Sequence, residues 1–274
     1  MAGVWGATCR QATVCRLVLG DRLGRQRRSL GLTLREVAGA LYASSAKLCR
    51  IESGRHRPAP ADVERLADFY QVDAGVREQW LQWAQVAQGR GAYHAFADVA
   101  DAMLRDYLDV EAAGLRAVYG PVVIPAVLRT RGYARALYGG MSEPEAQRRL
   151  WLLALRQRRF AEEGPKPVQV LLGEAAVNGG VGGAQVMEEQ RDRLRRAGEM
   201  GVKVRVLPHE RVVPDPQAHC GFAVAALDAG RCVLCGHERL DGRLWLVPDR
   251  GRYAAARFAR LWQAALGPDL RPAA

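Results

Sequence analysis

The residues best equipped for chemistry are basic and hydroxyl side chains between positions 35 and 57. Guanidinium, ammonium and hydroxyl groups donate hydrogen bonds to phosphate oxygens, and the arginine fork also matches the paired acceptors of guanine. Residues 10–58 carry eleven basic and three acidic side chains, a net charge of +8, whereas residues 59–75 carry a net charge of −3. A positive segment beside an acidic one predicts a polyanionic partner and favours nucleic acid.

Two short helices joined by a tight turn are expected to position these side chains. Thr33 and Glu36 have the spacing of a capping box, which begins a helix, and Ser44 can cap the next helix. Gly31 and Gly54 stand where glycine commonly ends a helix. The apolar positions that would bury these helices repeat at helical spacing: Leu19, Leu23 and Leu30, then Leu34, Val37, Ala38 and Leu41, then Leu48 and Ile51. The sequence therefore predicts a helix-turn-helix.

The second of these helices is predicted to present its outer face to the major groove of DNA. The residues expected to contact phosphates are Arg35, Ser44, Arg55 and Arg57. The residues expected to face base edges are Ser45, Ala46, Lys47 and Arg50. Phosphates would repel the carboxylate of Glu52, so we expect it to turn inward and form an ion pair with Arg27.

The segment resembles the phage-repressor (Xre-type) helix-turn-helix family. Its hallmarks here are Gly31-Leu32-Thr33, Glu36-Val37-Ala38 and Arg50-Ile51-Glu52 followed by Gly54. The resemblance implies a λ-repressor-like all-α headpiece and also implies the pairing of Glu52 with Arg27. The sequence departs from the family at Leu34, where a phosphate-contacting Gln is usual, and at Tyr42, where the turn usually has Gly.

The chain of 274 residues is predicted to divide into four segments. Residues 1–15 lack helical periodicity and are expected to form a disordered arm, and residues 16–75 are expected to form the helix-turn-helix headpiece. Helical linkers are expected over residues 76–112, followed by a regulatory or partner-binding α/β domain over residues 113–274.

Alternating apolar segments predict a mixed α/β (α+β) fold for the C-terminal domain. Strands are predicted over residues 115–119, 168–172, 202–206, 221–227, 231–235 and 243–247. Helices are predicted over residues 121–128, 132–139, 143–161, 183–197 and 253–266.

The headpiece and the C-terminal region together resemble the actinobacterial WhiJ-type regulators, also described as antitoxin-like. The matching segments begin with Tyr107-Leu108-Asp109-Val110-Glu111-Ala112 and include residues 123–130, 132–136, 173–176, 181–183, 187–190 and 204–208. The resemblance implies a transcriptional regulator, commonly beside a small partner protein encoded nearby, and it supplies no established ligand. The sequence departs from the family at Cys235-Gly236-His237, where an apolar residue and an acidic one are usual.

Cysteine and histidine side chains in the C-terminal region raise the alternative that this region binds zinc. The candidates are Cys220, Cys232, Cys235 and His237, and Cys-x-x-Cys is a recurring half-site. A strand over residues 231–235 would point Cys232 and Cys235 to opposite faces, so we favour buried structural cysteines and expect no metal. The glycines of residues 179–183 could cradle a phosphate before a helix, but they lack the Lys-Ser/Thr ending of a P-loop, and we favour a flexible loop.

Three classes of function follow from these features. The first is a sequence-specific DNA-binding transcriptional regulator with a C-terminal dimerisation and signal-receiving domain. The second is an antitoxin-like protein that neutralises a small partner protein and uses DNA binding for autoregulation, and the third is an enzyme with a DNA-targeting headpiece. We expect the first, without enzymatic activity or a cofactor, acting on double-stranded DNA in the cytoplasm at the nucleoid, with no membrane segment.

The regulator is also predicted to be a homodimer. One headpiece reads only a few base pairs, and repressors of this type gain specificity by binding two half-sites about one helical turn apart. The dimer surface is expected on the linker helices or the C-terminal domain, where Trp80, Trp83, Leu104 and Tyr107 supply apolar area, and the fragment 1–75 should be monomeric. The alternative for Trp80 and Trp83, which we favour over stacking on a ligand, is that they pin their helix to a core.

Overall fold

The computed structural model describes residues 11–162, 167–211, 220–228, 232–238, 244–247 and 251–267. It describes only the backbone, and not the side chains, of residues 232, 233, 237, 238 and 244–247. These residues form two compact units. The first contains the described residues up to His94 together with Leu227, Asp228 and Cys232, and the second contains the other described residues from Ala95 onward.

Five helices form the first unit. They are α1 Ala12–Ser29, α2 Leu34–Ala40, α3 Ser45–Glu52, α4 Pro60–Phe69 and α5 Ala74–Ala87. Local signals determine their ends. The capping box of Thr33 and Glu36 begins α2, and the hydroxyl of Ser44 accepts a hydrogen bond from the amide of Lys47 at the start of α3. Gly31 and Gly54 follow α1 and α3 with left-handed φ angles of 70° and 68°, as expected for helix-ending glycines.

The first helix begins earlier than the sequence indicated. Ala12, Val14 and Cys15 lie inside α1 and are buried, so the predicted disordered arm does not extend to residue 15; residues 1–10 lie outside the described residues. Every residue from Ala12 to Gly20 except Arg16 is buried. A helix buried on all sides has no polar face and therefore shows no amphipathic period in its sequence.

The predicted linker over residues 76–112 is also wrong in its boundaries. The helix α5 packs against α1 and α4 within the first unit, whereas α6, Ala102–Gly114, belongs to the second unit. Trp80 and Trp83 are 3% and 7% exposed, so they pin α5 to the headpiece core and cannot form a dimer surface. Tyr107 on α6 is likewise buried, and Leu104 is half-buried.

A six-stranded mixed sheet forms the centre of the second unit and confirms the predicted α/β fold. Its strands are β1 Leu115–Gly120, β2 Val168–Gly173, β3 Val202–Leu207, β4 Phe222–Leu227, β5 Cys232–Glu238 and β6 Leu244–Val247. Their order is β3-β2-β1-β4-β5-β6. The pairs β1–β2 and β2–β3 are parallel, whereas β1–β4 and β5–β6 are antiparallel.

Helices accompany this sheet. Besides α6 they are α7 Arg131–Leu137, α8 Glu143–Glu162, α9 Glu174–Asn178, α10 Ala184–Arg195 and α11 Gly251–Ala264, with 3₁₀ turns at His94–Phe96, Ala126–Leu128, Arg196–Met200 and His209–Arg211. The core of α11 and the sheet includes Tyr119, Leu171, Phe222 and Phe258. The helix predicted over residues 121–128 is only the turn Ala126–Leu128, because Pro125 disfavours a helical conformation in the residue before it.

Candidate nucleic-acid interface

The outer face of α3 is the strongest candidate for a binding surface. Leu48 and Ile51 are buried and attach α3 to the headpiece. Ser45, Ala46, Cys49 and Arg50 are exposed on the opposite side. A short helix that is capped at its first turn and presents small side chains and one arginine can enter a major groove without steric obstruction.

Three of the predicted DNA-contacting arginines are open to solvent. Arg35, Arg50 and Arg55 are exposed. Within the part of the chain that the structure describes, none of their three guanidinium groups forms an ion pair or a hydrogen bond. Their guanidinium groups can therefore approach an anion without first leaving a protein partner.

Two of the predicted contacts are already engaged elsewhere. The ammonium of Lys47 lies 2.6 Å from a carboxylate oxygen of Asp62 in α4, so the structure directs Lys47 away from the open face where the sequence placed it. Arg57 donates a hydrogen bond of 3.2 Å to the backbone carbonyl of Gln88.

The carboxylate of Asp62 has a lowered pKa. Burial alone would raise this pKa, but the hydrogen bonds from Lys47 and Arg65 lower it by more than burial raises it. Asp62 therefore stays charged and holds Lys47.

Arg27 and Glu52 form the ion pair that the sequence predicts. The Nε and Nη2 atoms of Arg27 donate to the two carboxylate oxygens of Glu52 at 2.7 and 2.9 Å, and Nη1 donates to the carbonyl of Leu32 at 2.6 Å. The two side chains are only 11% and 12% exposed. The hydrogen bond to Glu52 raises the pKa of Arg27. This bidentate pair ties α1 to the end of α3 and keeps the carboxylate of Glu52 away from the exposed face.

Tyr42 ends α2 in a conformation that normally requires glycine. Its φ is 49°, its amide donates to the carbonyl of Gly39 at 3.3 Å, and the amide of Ala43 donates to Ala38 at 2.9 Å. This is the Schellman motif with Tyr in the glycine position. The turn therefore keeps the usual geometry of such helix ends even though the sequence has no glycine there.

Replacing Tyr42 by glycine should stabilise the first unit by up to about 1 kcal/mol, because a left-handed non-glycine residue costs about 1–2 kcal/mol and part of this gain is lost to the greater backbone entropy of glycine. The ring is 99% exposed, so its removal costs no packing. Hydrogen exchange of α3 amides in the full-length protein would measure the change. Tyr42→Ala keeps the left-handed strain and should give no gain; an equal gain from both variants would contradict this explanation.

The hydroxyl of Tyr70 makes the stability of the first unit depend on pH in the alkaline range. Burial, and then the charge of Glu52, raises the pKa of its hydroxyl from an ordinary 10 to about 12. The folded state therefore favours the neutral hydroxyl. The contribution of Tyr70 to the free energy of unfolding is complete below about pH 10 and should be lost as the pH rises from about 10 to about 12. Urea unfolding followed by circular dichroism at pH 9 and pH 11 should show this loss, and Tyr70→Phe should reduce it. An identical loss in the variant would exclude Tyr70 as the cause.

The described residues contain no cluster of the candidate zinc ligands. Cys220 is exposed and Cys235 is buried in the sheet core, and the side chains of Cys232 and His237 lie outside the described residues. Among the residues that the structure describes, no three His, Cys, Asp or Glu side chains are close enough to hold a metal ion. In the same residues, no helix is both long and apolar enough to span a membrane.

Comparison with known families identifies both regions of the chain. Residues 104–270 match a family model described as a domain of unknown function (DUF5753), which covers more than half of the chain. The chain belongs to the DUF5753 family. Residues 18–80 match a helix-turn-helix domain, and the matched segment includes α2, α3 and α4 and the first half of α5. Comparison with curated proteins and with solved structures gave no match. The DUF5753 match begins inside α6, in agreement with the assignment of α6 to the second unit.

Proposed function

We propose that this DUF5753 protein is a sequence-specific DNA-binding transcriptional regulator rather than an enzyme. The observation that carries the proposal is the exposed face of α3 with Arg50, on a helix-turn-helix domain whose basic segment has a net charge of +8. In this proposal Arg50 reads base edges in the major groove, together with Ser45 and Ala46. Arg35, Ser44 and Arg55 contact the phosphates.

The proposed regulator acts as a homodimer on double-stranded DNA in the cytoplasm. Because Trp80, Trp83 and Tyr107 are buried in their own chain, the dimer surface must use other residues. Trp151 on α8 is 54% exposed and offers apolar area for such a surface on the second unit. A WhiJ-type assignment, a small partner protein encoded nearby and an antitoxin-like activity remain hypotheses from the sequence.

Selection from a pool of random-sequence duplexes tests both parts of this proposal. The full-length protein should enrich one motif with two-fold symmetry and half-sites about one helical turn apart. Sedimentation at micromolar concentration should give a dimer, and Trp151→Ser should weaken it. A pool that stays random after several rounds would contradict sequence-specific binding, whereas an enriched asymmetric motif with a monomeric protein would contradict the dimer alone.

A further inference from the structure

A cleft in the second unit lies between the start of α7 and the C-terminal half of α10. Its volume is about 490 Å³, within the range of pockets that bind small molecules. The residues lining it are Thr130, Glu189, Asp192, Arg193, Arg196, Glu199 and Met200. Every lining residue belongs to the second unit, so the cleft is formed by this unit alone.

The arginines of this segment fall into two sets. Arg191 and Arg195 form ion pairs with Glu188 at 2.8 and 3.0 Å, and Arg195 also pairs with Asp192. Arg193 and Arg196, which line the cleft, have no carboxylate partner among the residues that the structure describes. The two unneutralised guanidinium groups are therefore the ones that face the cleft.

The two cleft arginines are close enough to affect one another. Burial lowers the pKa of Arg193, and the positive charge of Arg196 lowers it further. A partly buried cation beside a second cation is electrostatically unfavourable, and an anion between them would relieve both the repulsion and the loss of hydration.

The wall that carries Arg193 is fixed by buried hydrogen bonds. Gln190 is fully buried; its side-chain carbonyl accepts from the amide of Thr130 at 2.7 Å, and its amide group donates to the carbonyl of Leu128 at 2.8 Å. The Nε atom of Arg193 donates to the same carbonyl at 3.1 Å. Arg193 is thus held in place before any ligand binds, which reduces the ordering cost of binding.

We propose that this cleft binds a small molecule through an anionic group, a phosphate or a carboxylate, held by Arg193 and Arg196. Three carboxylates also line the cleft: Asp192, which is paired with Arg195, and Glu189 and Glu199. Glu189 and Glu199 repel polyanions and can accept hydrogen bonds, so the rest of the ligand carries hydroxyl or amino groups. Met200 offers an apolar contact. The site is a candidate receiver of a chemical signal, and its existence does not depend on the DNA-binding proposal.

NMR of the arginine Nε–Hε groups in the full-length protein tests the site and detects weak binding. The probes are glucose 6-phosphate and glutamate, titrated against chloride at equal ionic strength. We expect saturable shifts of the Arg193 and Arg196 signals with at least one probe, while Arg158, which pairs with Glu162 outside the lining, serves as the internal control. A response to glucose 6-phosphate alone assigns a phosphate site, and a response to glutamate alone assigns a carboxylate site.

Two variants show whether both cleft arginines are required. Arg196→Gln should abolish the saturable shift of Arg193, whereas Arg158→Gln, which changes an exposed arginine of α8 outside the lining, should keep it. Arg193→Gln should also abolish binding, but it removes the bond to Leu128, so the exposed Arg196 gives the cleaner test. Shifts that chloride reproduces, shifts that survive Arg196→Gln, or the absence of any saturable response to both probes would overturn the proposal.

Discussion

Replacing Gly20 by alanine should destabilise the first unit by about 2–3 kcal/mol and weaken DNA binding with it. A Cβ atom at this position would lie 2.4 Å from the carbonyl oxygen of Ile51 and 2.8 Å from that of Glu52. Both are backbone atoms at the end of α3, so they cannot rotate away as a flexible side chain would. Relief of the clash requires α1 and α3 to separate, which moves the proposed recognition helix.

Gly39→Ala is the matched control for Gly20→Ala, because it makes the same change inside another helix of the same unit. Nothing lies within 4 Å of its Cβ position, and its backbone has no left-handed strain. Alanine should therefore stabilise α2 by about 0.5–1 kcal/mol. Hydrogen exchange of α3 amides in the full-length protein distinguishes the two variants. A Gly20→Ala protein as stable as the wild type would mean that α1 and α3 are not in close backbone contact.

Arg50→Ala should relax base preference at one position of each half-site. A well-placed arginine that contacts guanine discriminates by about 1–3 kcal/mol, roughly 5- to 150-fold in Kd. The effect should be confined to one base pair because Arg50 is the only arginine on the exposed face of α3. Affinities for the selected duplex and its single-base variants, measured by fluorescence anisotropy, give the preference directly.

Two further variants separate base reading from charge. Arg50→Lys keeps the positive charge but loses the guanidinium fork, so it should relax the same position while leaving the salt dependence nearly unchanged. Arg55→Ala should weaken binding to every sequence alike and lower the slope of log K against log salt concentration by about 1 for each phosphate that Arg55 neutralises in the wild type. An unchanged base preference in both Arg50 variants would remove Arg50 from base recognition.

The parts of the headpiece that the sequence predicted depend on neighbours along the chain. Thr33 and Glu36 form their capping box through residues three apart, and Gly31 and Gly54 end their helices through local conformation. Such features depend little on tertiary structure. The α/β pattern of the second unit was predictable for the same reason, since alternation along each strand is local.

The features that the sequence did not predict depend on distant segments. Lys47 pairs with Asp62 because the packing of α4 places the carboxylate beside α3, and no spacing rule connects the two residues. The place of α5 in the first unit depends on its packing against α1 and α4, which the residue pattern alone could not distinguish from a linker helix. Near the cleft, the ion pairs Arg191–Glu188 and Arg195–Asp192 could be expected from residues three apart on a helix, but the packing of α7 against α10 could not.

Sequence-specific DNA binding is measured by the ratio of two affinities, one for the selected duplex and one for a random-sequence duplex. The Kd of the full-length protein for its selected duplex should be measured in competition with a random-sequence duplex of equal length at physiological salt. We expect at least about 10³-fold tighter binding to the selected duplex, as specific regulators show. Equal affinities for the two duplexes, or no binding to either, would contradict this expectation.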